Sequence, residues 1–251
     1  MSAARVALVH PDPEILAAAV AARLLTRLVD LQSVQEEVHL VLTGGTVGIA
    51  SLAAVAANPV RHAVDWSTIH VWWGDERFVP TGDPERNETQ ARDALLDRLE
   101  SLDPAKVHAM PAPGTPGVDT PEASAAVYAH ELAAHAPAGA DVPRFDLLLL
   151  GMGPDGHVAS LFPGHEALAA EGTVVGVHGS PKPPPLRTSL TFGAIRSAAE
   201  VWLIVAGAEK ALPVRRAFEG APVDEVPAGG ATGTRATLWL LDLAAASPAA
   251  E

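Results

Sequence analysis

The stretch FDLLLLGMGPDGHVASLFPGH, Phe145–His165, passes from an unbroken apolar run into a turn that spells G-x-G-x-x-G across Gly151, Gly153 and Gly156. A short apolar run closed by turn residues is the pattern of a strand covered on both faces. Similar runs occur at RVALVH (Arg5–His10), VHLVL (Val38–Leu42), TIHVWW (Thr68–Trp73), VWLIVAG (Val201–Gly207) and ATLWLLD (Ala236–Asp242). Between them lie alanine-rich segments of helical pattern: one from Glu14, one from Thr46, then Asn87–Leu102, Pro121–His135 and Glu209–Glu219. This alternation predicts an α/β fold in which helices flank a mostly parallel central sheet, a three-layer sandwich. Two proline- and glycine-rich stretches, Met110–Glu122 and His178–Thr191, read as loops within a single domain covering residues 1–251.

Composition narrows the function. The chain has 251 residues and a formal net charge of -13, with no long Lys/Arg stripe, which disfavours nucleic acid or an anionic membrane as partner. It has no cysteine, so disulfides, thiolate metal sites and thiol nucleophiles are excluded. The opening residues lack the features of a secretory signal, and Ile15–Val29 is too short to span a bilayer and carries Arg23 and Arg27; a cytoplasmic protein is expected.

The glycine turn does not read as a dinucleotide site. That fingerprint needs a full helix after the turn and an acidic residue about 20 positions on. Here only HVASLF, read as a short helical segment, precedes Pro163-Gly164, and Asp155 sits inside the turn itself. The sequence offers instead an imidazole, His157, just past the carboxyl end of a buried strand, with Asp155 two residues earlier to hold its tautomer. A helix-capping role for Asp155 is the plainer alternative.

Three other segments supply polar groups at strand ends or in stiff loops. In LTGGTVG, Leu42–Gly48, a strand runs through Gly44-Gly45 into a helix starting near Thr46, which exposes amides to an anion, with Thr43 and Thr46 adding hydroxyls. The lysine of a Walker loop is absent, which argues against nucleotide hydrolysis. In GDER, Asp75, Glu76 and Arg77 follow a strand, and the Arg77 fork suits a phosphate or an oxyanion unless it pairs with its neighbours. In PKPPPLRTSLT, Lys182 and Arg187 sit on a proline-stiffened loop. HELAAH, His130–His135, resembles a zinc helix, but a spacing of five turns the two rings about 140° apart, so no metal is expected there.

Together, TGGT, WWGDERFVP, NETQAR, GMGPDGHVASLFPGH and PKPPPLRTSLT follow one another as in 6-phosphogluconolactonases of the glucosamine-6-phosphate isomerase/deaminase superfamily, which the chain resembles over nearly its whole length. The resemblance implies a Rossmann-like domain, no cofactor, and hydrolysis of the phosphorylated sugar lactone 6-phospho-D-glucono-1,5-lactone by a monomer or small homo-oligomer. On that reading His157 is the general base, supported by Asp155. Gly44, Gly45, Thr46 and Thr43 with Lys182 and Arg187 meet the phosphate. Arg77 or amides of the turn at Gly153 meet the oxyanion, with Arg77 equally able to bind phosphate. The isomerase/deaminase branch is the nearest alternative and shares Asp75 and Asp155-Gly156-His157. Its ring-opening carboxylate, five positions after the histidine, is replaced here by Phe162. Ser160 lacks the G-x-S-x-G setting of a nucleophile. A noncatalytic sugar-phosphate sensor is a further alternative, disfavoured by the absence of a helix-turn-helix before the first strand.

Overall fold

In the computed structural model, which describes residues 5–247, the apolar runs form one six-stranded parallel sheet. Its strands are β1 (Arg5–His10), β2 (Val38–Leu42), β3 (Ile69–Trp73), β5 (Phe145–Gly151), β8 (Glu200–Val205) and β9 (Ala236–Asp242), in the order β1-β9-β8-β5-β2-β3. Strand β5 shows why such runs are apolar throughout: successive side chains point to opposite faces. Leu147 and Leu149 enter the core on one face, and Leu148 and Leu150 the core on the other.

Helices close both faces. On one lie α1 (Pro13–Gln32), α2 (Thr46–Ala57) and α3 (Asn87–Ala94); on the other lie α4 (Pro121–Ala134), α5 (Phe192–Ser197), α6 (Ala211–Phe218) and α7 (Leu243–Ala246). Helix α1 forms where the sequence supplies a start signal and an apolar stripe. The Asp12 carboxylate accepts the Ile15 amide at 2.8 Å, Pro13 occupies the first turn, and Leu16, Val20, Leu24, Leu28 and Leu31 recur on the buried side. No helix of the described residues is long and apolar enough to cross a membrane.

A second sheet departs from the sequence reading. Strands β4 (Asp75–Arg77), β7 (Arg187–Leu190) and β6 (Val174–Val177) pair antiparallel in the order β4-β7-β6, so the end of the stretch read as a loop is a strand. Its residues are short and polar, and Thr188 and Ser189 are buried without any apolar alternation to announce them. Two helical expectations also shorten. Asn87–Leu102 is helical only to Ala94 before a 3-10 turn at Leu96–Arg98. HVASLF is no helix: Val158 and Leu161 bridge across a tight turn with Ala159 at a φ of 48°.

Glu76 holds this small sheet to α3. It is buried, and its carboxylate accepts the amides of Asn87 at 2.7 Å and Glu88 at 2.9 Å, the first two residues of a helix whose N-cap, Arg86, makes no side-chain cap. A third amide, that of Arg77, donates at 2.8 Å, and the Arg86 guanidinium lies 3.7 Å away. A strand residue therefore caps a helix that starts eleven positions further on. Glu76→Gln, which turns an amide NH2 toward these N–H groups, is expected to lower stability by about 1–3 kcal/mol in urea unfolding.

Candidate active site

The strand order fixes where a ligand can sit. From β2 the chain moves outward to β3, then returns past β2 to β5 and continues the other way through β8 and β9. In open α/β sheets such a reversal leaves a crevice at the carboxyl ends of the two strands, here β2 and β5. The Gly151 amide donates to Thr43 Oγ1 at 3.0 Å and fastens the two ends together. A cleft of about 200 Å³ opens there, walled by the turns after both strands, by Asp75, Arg77 and Asn87, and by the Lys182–Pro183 loop.

The floor is the start of α2. Gly45 is its N-cap at a φ of 80°, a conformation that suits glycine, and no side chain caps the helix. The first-turn amides and the positive end of the helix dipole thus face the cleft without a carboxylate or hydroxyl cap. Gly44 lacks a side chain for a different reason: a Cβ there would overlap the Asn87 carboxamide, which donates to the Asp75 carbonyl at 2.8 Å.

One wall carries the imidazole. His157 Nδ1 lies 2.5 Å from Asp155 Oδ1, and the His157 amide donates to the same oxygen at 3.3 Å. Partial burial alone would raise the Asp155 carboxyl, but the hydrogen bond and charge of His157 outweigh it and hold it below its ordinary value. Gly153 makes room for this pair, because a Cβ there would overlap both the ring and the carboxylate. Its own amide donates to the His157 carbonyl at 2.9 Å, and the Gly156 amide to the Gly153 carbonyl at 3.0 Å, so the turn uses these two donors internally. Phe162 is buried with its ring centroid 4.6 Å from that of His157, an apolar backing to the imidazole.

The facing wall carries the cations. Arg77 Nη1 donates to the Glu85 carbonyl, and Lys182 stands exposed at the rim; no carboxylate of the described residues pairs with either. Arg187 also borders the cleft, but it is buried and its guanidinium donates to the carbonyls of Pro184 at 2.8 Å, Lys182 at 3.0 Å and Pro183 at 3.1 Å. It grips the loop that presents Lys182. Asp75 lies at the cleft with one carboxylate oxygen accepting the Ser160 hydroxyl at 2.7 Å, and Ser160 is fully buried and closed to any substrate.

The structure therefore brings together Thr43, Gly44, Gly45, Asp75, Arg77, His157, Lys182 and Arg187 at one cleft. Asp155 and Gly153 stand behind the imidazole, and Thr46 starts the helix beneath. The sequence reading gave no role to Asn87, Met152 or Pro183, which also line the cleft. All three lie within motifs that carry the resemblance: Asn87 in NETQAR, Met152 in GMGPDGHVASLFPGH and Pro183 in PKPPPLRTSLT.

The family model for glucosamine-6-phosphate isomerases/6-phosphogluconolactonase matches residues 11–239. A 6-phosphogluconolactonase of Streptomyces coelicolor is 57% identical over 95% of this chain and 92% of its own length. One from Mycobacterium tuberculosis is 46% identical over 95% of this chain and 96% of its own. The solved structure of 6-phosphogluconolactonase from Trypanosoma brucei superposes with a TM-score of 0.82 at 28% identity, covering 98% of both chains. With the family pattern spanning both turns that build the cleft, and relatives aligned along almost all of its length, the chain belongs to the glucosamine-6-phosphate isomerase/6-phosphogluconolactonase family.

Proposed function

We propose that the chain hydrolyses 6-phospho-D-glucono-1,5-lactone to 6-phospho-D-gluconate, the activity named for its relatives. The observation that carries this reading is an Asp155-supported imidazole across a cleft from two cations that have no carboxylate partner among the described residues, on a protein of net charge -13. Such a cleft matches a substrate with a dianion at one end and an ester carbonyl at the other.

With Nδ1–H held by Asp155, the His157 lone pair sits on Nε2, the nitrogen that takes a proton from water as the water oxygen bonds to the lactone carbon. The carbonyl electrons move to oxygen, and Arg77 is the side-chain donor available to that oxyanion. As the intermediate collapses, the ring C–O bond breaks and the imidazolium returns its proton to the leaving oxygen. The product acid then ionises. Neither redox change nor a covalent enzyme intermediate is needed. The α2 amides and Lys182 hold the phosphate, and this remote binding places the carbonyl at His157. Phe162 favours lactone hydrolysis over ring-opening isomerisation, because it sets a hydrocarbon ring beside the imidazole where a proton-transferring carboxylate would be required.

His157→Ala is expected to lower kcat about 10²- to 10⁴-fold, after subtraction of spontaneous hydrolysis, while 6-phosphogluconate still binds. A mutant that keeps the wild-type rate sinks the assignment. Lys182→Ala should raise KM for the phosphorylated lactone with kcat nearly kept, and should narrow its advantage over unphosphorylated gluconolactone; an unchanged preference between the two lactones removes Lys182 from the phosphate site. Gly153→Ala, which forces the imidazole and carboxylate apart, is expected to reduce kcat about 10²-fold with little change in melting temperature.

A further inference from the structure

A second cluster of titratable groups lies at the other end of the sheet. His39 and His70 stand side by side near the starts of β2 and β3, on strands whose far ends carry Thr43 and Asp75 at the cleft. Asp75 lies five positions beyond His70 along a nearly continuous extended chain, on the order of 15 Å. His108 comes from a segment running along the β3 edge, where its amide donates to the Val71 carbonyl at 2.9 Å. His135 is the C-cap of α4. One ring nitrogen from each of His70, His108 and His135 falls within 4.8 Å of the others.

Hydrogen-bond bookkeeping shows which nitrogens hold lone pairs. His135 Nδ1 lies 3.0 Å from the Glu131 carbonyl, an acceptor only, so it carries the hydrogen and leaves Nε2 bare. His108 Nδ1 lies 2.8 Å from Glu131 Oε1, which likewise leaves its Nε2 bare. His70 Nε2 is buried, makes no hydrogen bond, and lies 3.4 Å from Glu37 Oε1, where its hydrogen faces a carboxylate. His70 Nδ1 and His108 Nε2 then oppose each other at 2.9 Å, two lone pairs in a buried place. A hydrogen shared between them leaves the ring pair charged, or leaves His70 Nε2 bare toward Glu37. A cation bound to both rings satisfies all of these contacts.

We propose that His70, His108 and His135 form a site for one divalent transition-metal ion of the zinc, nickel and copper group, with Glu131 and Glu37 as the outer carboxylates. Neutral imidazole is the ligand type this group prefers. Ligating histidines commonly give their other N–H to a carboxylate or carbonyl, as His108 and His135 do here, while His70 Nε2 lies 3.4 Å from Glu37 Oε1. Trp72 stacks on His108 at 3.8 Å between centroids and fixes the ring plane. His39 stays outside the ligand set, because its Nδ1 accepts the Trp72 indole N–H at 3.1 Å. Lys106, 2.9 Å from Glu37 Oε1, neutralises part of the acidic surroundings. The HELAAH stretch thus contributes through His135 and Glu131, joined to histidines distant in sequence, while His130 is exposed.

The test is zinc uptake by the full chain after chelator stripping, followed by calorimetry and by the zinc-induced rise in melting temperature. Wild type should bind one zinc per chain. His135→Gln and His108→Gln should each weaken that binding at least about tenfold, Glu131→Gln should weaken it about 10- to 100-fold, and His130→Gln should leave it unchanged. His135 is half-buried at a helix end, so its variant should fold normally and carry the test if the His108 variant does not. The proposal is overturned if wild type shows no saturable uptake. Uptake that persists undiminished in His135→Gln, or that disappears in His157→Ala instead, overturns it equally by placing the zinc elsewhere.

Discussion

The reversal of strand order between the parallel neighbours β2 and β5 is the constraint on which the active end depends. Because the chain leaves β2 for one edge of the sheet and later resumes at β5 for the other, no connection covers the gap between their carboxyl ends. The Gly151–Thr43 hydrogen bond keeps that gap narrow and its two lips level. The glycine turn after β2 brings helix amides to the floor, and the turn after β5 brings the imidazole to one side. Neither turn contains enough on its own to bind and transform a molecule. Their adjacency is a property of topology, and it explains why residues more than a hundred positions apart act on one cleft.

The remaining wall is supplied by a different device. Strand β4 continues β3 beyond Gly74 into a small antiparallel sheet, so that Asp75 and Arg77 rise above the crest of the main sheet. Glu76, between them, points away and is buried, where it caps α3. Alternation along an extended chain thus divides three consecutive charged residues: two serve the cleft, and the middle one anchors the segment that carries them. Asn87, at the start of the capped helix, then reaches back to Asp75 and presses against Gly44, tying the cation wall to the amide floor.

The central sheet was legible in the sequence because its strands are buried on both faces and therefore spell continuous apolar runs. The residues that meet at the cleft were legible for another reason: the turns carry glycines and charges at strand ends, where a structural role alone explains little. The second sheet escaped because Arg187–Leu190 is short, polar and held by backbone pairing and side-chain hydroxyls, with no apolar period to read. Asn87 escaped because its contacts with Asp75 and Gly44 exist only once β4 and α3 are packed. The histidines at 39, 70, 108 and 135 show the same limit more sharply. The nearest two, His108 and His135, are 27 positions apart, and only the parallel register of β2 with β3, the edge segment and the end of α4 gather the four.

Arg187 illustrates a kind of modularity. Buried and bonded to three successive carbonyls, it makes the proline loop a rigid boom whose exposed tip is Lys182. The chemical pair Asp155–His157 belongs to another turn, on another strand, with its own internal hydrogen bonds. On the proposed function, the residue at the tip, and with it the distal group that a ligand must carry, can be exchanged without disturbing the Asp155–His157 pair. A scaffold wired in this way is free to diversify in what it recognises while conserving what it does.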